Sequence, residues 1–311
     1  MNVFKKIILF LPIIWIFFFY SSYVLAQEAP KNGITYYFGI LAKRGEAVEQ
    51  NRFYKLKEYL SKNLPYKIEF QFLPFEELKK KALKGELHFI LTNPYHAVTI
   101  KELASKNEIV YRIILSLGQY EKGSYYPYFG GVIFTKKNSS VNNLSELRNR
   151  AFGAVNPDSF GGYLIALYEF KKVGIEEKDL KTKFYGTHDA VVFAVLKGEV
   201  EAGTVRTGIL ERLIKAGVIS VNDIKILNQK IYPEFPLFIS SSLYPEWPLL
   251  ALENVPQEVI KSLAKALLDI KGESDLAKSI EAVFYMPFDY SPINNLLLDL
   301  MKGPYQELRE I

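Results

Sequence analysis

The sequence predicts an α/β protein of two lobes, each a mostly parallel sheet flanked by helices, with two hinge strands joining them. Three observations predict it. The same landmarks recur in one register about 113 residues apart, and each copy alternates strand-like with helix-like runs. Two stretches rich in Gly, Pro and Tyr then interrupt the pattern where the chain would pass between the copies.

The elements follow in order. Lys5 and Lys6 precede an apolar run over 7–19, and Val24-Leu25-Ala26 offers a signal-peptidase site after Ala26. The run is also long enough to serve as an uncleaved anchor, so residues 1–26 read as a signal peptide or a membrane tether. Either way the rest is expected outside the cytoplasm, in the periplasm, with a membrane touched only through that segment. Without Lys5 and Lys6 the formal charge falls from +5 to +3, too small to imply nucleic acid or a lipid surface. The chain has no cysteine, which excludes disulfides, thiolate metal sites and a cysteine nucleophile.

In the first copy, 34–41 reads as a strand, 46–62 as a helix with Phe53, Leu56 and Leu60 inward, and 66–73 as an alternating strand. An amphipathic helix over 75–83 and a short strand over 87–91 complete it. The second copy has strands at 151–155, 182–185 and 201–205, with helices at 161–173 and 190–196. Leu83-Lys84-Gly85-Glu86 returns as Leu196-Lys197-Gly198-Glu199, and Phe38-Gly39 lies over Phe152-Gly153 one position out of that register. Residues 27–118 with 238–311 are therefore assigned to lobe one and 129–229 to lobe two, with hinge crossings at 119–128 and 230–237. The last 70 or so residues, with a clear helix over 257–270, are expected to buttress lobe one.

Ligands of open α/β sheets bind beyond the carboxyl ends of the strands, where helix N-termini present unpaired N–H groups that favour anions. The loops at such ends supply the candidates. Lys43 and Arg44 follow the first strand, and Asn93 and Tyr95 flank Pro94 after the third. In lobe two, Ser159, Phe160 and Gly161 open a helix, with glycine permitting close approach to backbone N–H groups. His188 follows Gly186-Thr187, and Arg206 with Thr207 ends the last strand of the copy. An arginine at a helix start opposes the helix dipole, so Arg206 reads as a bidentate anion clamp. Each of these also has an ordinary structural reading as cap, turn or surface charge. Motifs for hydrolase elbows, zincins, Walker loops and dinucleotide folds are absent, so neither catalysis nor a cofactor is expected.

Thr92-Asn93-Pro94-Tyr95, the run from Asn156 to Tyr163, and Thr187-His188-Asp189-Ala190 through Ala202-Gly203 resemble the phosphonate-binding periplasmic solute-binding proteins. The likeness covers about 34–305. It implies a type II periplasmic-binding-protein fold, a monomer, and an anion site lined by Tyr95, Ser159 and His188. Where that family usually carries a Ser-Thr-Ser loop, this chain has Phe160 and Gly161 in place of two hydroxyl residues. Gly203-Thr204-Val205-Arg206-Thr207, Leu243-Tyr244-Pro245-Glu246-Trp247-Pro248 and Phe288-Asp289-Tyr290-Ser291-Pro292 look more like the branch used as sensor domains of histidine kinases, the tetrathionate sensors included. The resemblance implies a small anionic ligand, phosphonate-like or a sulfur oxyanion, and an ABC permease or a sensor histidine kinase as partner. No kinase follows Ile311 in this sequence, so the partner is expected to be a separate chain.

Overall fold

The computed structural model describes residues 33–42 and 45–310. The leader expected over 1–26 and the loop cations Lys43 and Arg44 lie outside the described residues.

Chain order begins with β1 (Thr35–Leu41), α1 (Glu46–Asn63), β2 (Lys67–Leu73), α2 (Phe75–Ala82), β3 (Phe89–Leu91) and α3 (Pro94–Ser105). The inward stripe of α1 is Phe53, Leu56 and Leu60, which the helical spacing predicts. β4 (Tyr111–Glu121) and β5 (Ser124–Tyr126) form a hairpin, and β6 (Tyr128–Phe129) leads into β7 (Gly131–Lys136). Then come β8 (Ala151–Ala154), α4 (Ile165–Lys172), β9 (Lys181–Phe184), α5 (His188–Lys197), β10 (Ala202–Arg206), α6 (Ile209–Lys215) and β11 (Ile224–Leu227). The chain finishes with β12 (Tyr244–Pro245), β13 (Pro248–Leu252), α7 (Gln257–Leu268), α8 (Asp275–Ile280), β14 (Ala282–Tyr285) and α9 (Ser291–Leu300).

Two large sheets result, as the repeat predicts, with a two-stranded ribbon beside them. In lobe one the order is β14-β4-β13-β3-β1-β2, with β5 added beside β4; in lobe two it is β11-β7-β10-β8-β9. The repeated strands pair in parallel in both, β2-β1-β3 and β9-β8-β10. Strands outside the repeat add antiparallel, so each sheet is mixed. Period-two burial is plain in β7: Val132 and Phe134 enter one core, and Ile133 enters the core on the opposite face.

The chain passes between the two sheets at β6, which begins at Tyr128 within the expected 119–128 crossing, and again before β12, past the expected 230–237 crossing. Residues 119–126 belong to the β4–β5 hairpin of lobe one, whose turn places Lys122 at φ 47° and Gly123 at φ 92°. Residues 230–239 close on lobe two, where Lys230 N–H donates to Ile239 O at 2.9 Å and Phe238 N–H donates to the Glu211 carboxylate of α6. A short antiparallel ribbon lies between the lobes, β6 with β12, in which Phe129 faces Tyr244 and Tyr128 faces Pro245. Turn and hinge draw on the same residue types, so composition alone does not separate a hairpin from a crossing.

A third connection is helix α9. Its apolar side, Ile293, Leu296, Leu297 and Leu300, shares one buried cluster with Tyr95 and Val98 of α3 and with Tyr163, Leu167 and Phe170 of lobe two. Polar contacts fasten it there: Tyr168 OH donates to Asp299 at 2.9 Å, and Lys302 reaches Glu177 at 2.8 Å. Among the described residues, no helix is long and apolar enough to cross a membrane.

A candidate anion site between the lobes

The carboxyl ends of β8, β9 and β10 put three loops side by side. After β8, Asp158 N–H bonds the Asn156 side chain at 3.0 Å, and Ser159 N–H bonds Asn156 O at 3.1 Å, which turns the chain sharply. Residues Phe160–Leu164 then form a π-type turn before α4, with Leu164 N–H donating five residues back to Ser159 O at 3.1 Å. Such widened turns recur at functional sites, because they splay backbone N–H groups that an α-helix would hold closer together. Ser159 caps this turn, its Oγ accepting from Gly162 N–H at 3.2 Å. Ser159→Ala is expected to cost about 1 kcal/mol of stability, measured by thermal unfolding.

Glycine is required at 161 and 162 because neighbouring groups crowd both positions. A Cβ on Gly161 would lie 2.8 Å from Arg206 Cβ and 3.1 Å from the Phe129 ring. One on Gly162 would lie 2.4 Å from Val155, 2.7 Å from Ser159 Oγ and 2.9 Å from His188 Cε1. The structure therefore brings Ser159, Phe160, Gly161, His188 and Arg206 to one place. His188 opens α5 after its cap Thr187, and its Nδ1 accepts from Arg206 N–H at 3.4 Å. Phe160 is buried edge-on against Phe129 and Tyr244 of the interlobe ribbon, so its side chain seals the base of the site.

From lobe one, Asn93 caps α3 by accepting from His96 N–H at 2.9 Å. Tyr95 crosses to lobe two, its hydroxyl donating to Asp158 at 3.0 Å while its ring stacks on Phe75. Burial, and then the Asp158 charge, raise the Tyr95 hydroxyl above its usual range, so it stays protonated and donating.

Arg206 differs most from its sequence reading. It ends β10, and α6 starts only at Ile209, after Gly208 at φ 89°. Its guanidinium is buried against lobe one, with Nη2 2.5 Å from Glu246 Oε1 and Nη1 3.0 Å from Gln119 Oε1. It also lies 4.7 Å above the Phe129 ring centroid. An arginine so placed already has its counter-charge. Thr207 has a structural position too, its Oγ1 accepting from Gly130 N–H at 3.2 Å beside the ribbon. Sequence reading missed Glu246, Gln119 and Asp158 as members of this assembly. The signal for the first two is a polar side chain inside an apolar run, Leu117-Gly118-Gln119-Tyr120 and Tyr244-Pro245-Glu246-Trp247.

Two similar lobes, a crossing ribbon and a polar focus between them define the type II periplasmic-binding-protein fold. Over residues 38–291 the chain matches the family described as the ABC transporter phosphonate periplasmic substrate-binding protein, and it belongs to that family. The tetrathionate sensor histidine kinase TtrS of Salmonella typhimurium is 28% identical over 276 residues, 88% of this chain and 45% of that protein. The phosphonates-binding periplasmic protein of Escherichia coli is 27% identical over 106 residues, 32% of this chain and 31% of that protein. The chain thus spans less than half the length of either relative. Among solved structures, PhnD1 of Prochlorococcus marinus in complex with methylphosphonate superposes with TM-score 0.65 at 18% identity, covering 89% of this chain and 99% of that one.

Proposed function

We propose that this chain captures a small oxyanion in the cleft between its lobes, outside the cytoplasm, and presents it to an ABC-transporter permease. The observation that carries the reading is the convergence of the Ser159 turn, the crowded Gly161–Gly162 backbone and His188 at one point beyond the strand ends. Backbone N–H groups there and the His188 ring supply donors for anion oxygens. Tyr95 and Asn93 approach the ligand from lobe one. The Phe160–Gly161 pair offers fewer hydroxyl donors than a loop of serine and threonine. This favours an anion with a smaller demand for hydrogen bonds than a phosphonate makes, such as a sulfur oxyanion.

One observation favours a second reading. The relative aligned over 88% of this chain is a sensor kinase, which supports a sensing role in which the loaded protein addresses a histidine kinase.

A thermal-shift screen of methylphosphonate, phosphite, sulfate, thiosulfate and tetrathionate tests the ligand class. At least one anion is expected to raise the melting temperature by several degrees at a hundred times its Kd, equivalent to about 2.7 kcal/mol. Stabilisation by neutral or cationic compounds alone overturns the anion reading.

A further inference from the structure

Arg206 is carried by lobe two, while both side chains that hold it are carried by lobe one or its connection. Gln119 lies on β4, and Glu246 immediately follows β12. We propose that Arg206, Glu246 and Gln119 form a cross-lobe latch that sets the balance between open and closed lobes, so that Arg206 governs closure instead of ligating the anion. The proposal rests on the binding-protein reading for the use of the cleft, but not for the existence of the latch.

The geometry is that of a fixed post and a moving hook. Glu246 is pinned through its backbone: its N–H donates to Pro127 O at 2.9 Å, and its carbonyl accepts from Tyr290 OH at 2.5 Å. That hydroxyl is itself 2.8 Å from Ser116 Oγ on β4, so the post is tied into the lobe-one sheet. Arg206 arrives on β10, whose antiparallel neighbour β7 begins directly after the ribbon strand β6. Rotation about the ribbon carries β10 away from β4 and separates the guanidinium from both partners.

The energetics make such a contact a switch and not a weld. In the closed arrangement the Arg206 and Glu246 side chains are 9% and 1% exposed, so both charges have given up water. Glu246 Oε2 is buried without a hydrogen-bond partner, a cost that opening removes by hydration. Attraction in the closed state and desolvation oppose each other, so the intact pair itself adds only a small net preference for either state. Neutralising one charge strands the other in the closed state only, and so drives the lobes apart. Neutralising both removes the stranding.

The chain has no cysteine, so two introduced ones can be labelled selectively. Tyr54→Cys on α1 and Val218→Cys after α6 are exposed positions, one on each lobe. Spin-label distances between them, measured by pulsed electron paramagnetic resonance without ligand, report lobe separation directly. Glu246→Gln is expected to shift the closed-to-open ratio about tenfold toward the longer distance, and Gln119→Leu in the same direction by less. The double variant Arg206→Met with Glu246→Gln is expected to return toward the parent distribution, the signature of coupled charges. Unchanged distances in Glu246→Gln, or single-variant effects that simply add in the double variant, overturn the latch. Should Glu246→Gln fail to fold, an unchanged distribution in Gln119→Leu overturns it equally. Because this readout needs no ligand, failure of the latch and failure of the anion screen are separate results.

Discussion

Between pH 6.5 and about pH 4 the protein is expected to lose about 3 kcal/mol of stability through His96 alone. His96 sits in the first turn of α3 with no exposed surface, its ring stacked 3.7 Å from that of Phe75. Nδ1 is 2.8 Å from Thr92 Oγ1, and Nε2 is buried without a partner. Burial first, and then the nearby Lys79 charge, lower its pKa from 6.5 to about 3. The unfolded chain therefore takes up this proton near pH 6.5 while the folded chain stays neutral until about pH 3. The contribution is complete above pH 6.5 and drains away as pH falls, by about 1.4 kcal/mol per unit, until the folded pKa is reached. Burial shifts His88 in the same direction, so comparison with a variant is needed. Urea unfolding at pH 7, 5.5 and 4 is expected to show a shallower acid limb in His96→Gln than in the parent. Parallel limbs refute the assignment.

Gly162→Ala is expected to abolish anion-induced stabilisation and to cost about 1–3 kcal/mol in the unliganded protein. A methyl group there meets Val155 at 2.4 Å, and neither Ser159 Oγ at 2.7 Å nor His188 at 2.9 Å can yield without leaving the site. The Ser159 cap and the His188 ring would both move, along with the N–H groups between them. At Gly174, where nothing lies within 4 Å but φ is 75°, the same change costs backbone strain without touching the site. Titration calorimetry with the stabilising anion separates the two: binding is lost in the first variant and retained in the second. Retention in both removes the Ser159 turn from the ligand.

The repeated βα units were legible because their signals are local. Phe53, Leu56 and Leu60 sit at helical spacing, and Ser159, Gly161 and His188 fall at strand ends that the register itself marks. Interactions between distant segments left no such mark. Arg206 and Glu246 are forty positions apart on different elements, and no periodicity announces that one neutralises the other. The strands β13 and β4 hold the places in their sheet that β7 and β11 hold in lobe two, but no sequence landmark marks either pair, so the antiparallel parts of the sheets were not foreseen. At 119–128 the chemistry of a hairpin turn was indistinguishable from that of a crossing.

The position of β13 has a consequence for how the chain assembles. It pairs with β3 on one side and β4 on the other, so it fills the middle of the lobe-one sheet. Yet it is made only after all of lobe two. Until then the β1-β2-β3 part of lobe one and β4 lack the strand that pairs with both. Lobe two, whose five strands run uninterrupted from β7 to β11, has every pairing partner in hand as soon as it leaves the ribosome. Closing lobe one requires a contact spanning well over a hundred residues, and such non-local pairings are slow and leave edges exposed. The inserted lobe is thus the half able to fold first, and by bringing β6 and β12 together it shortens the effective loop that β13 must close.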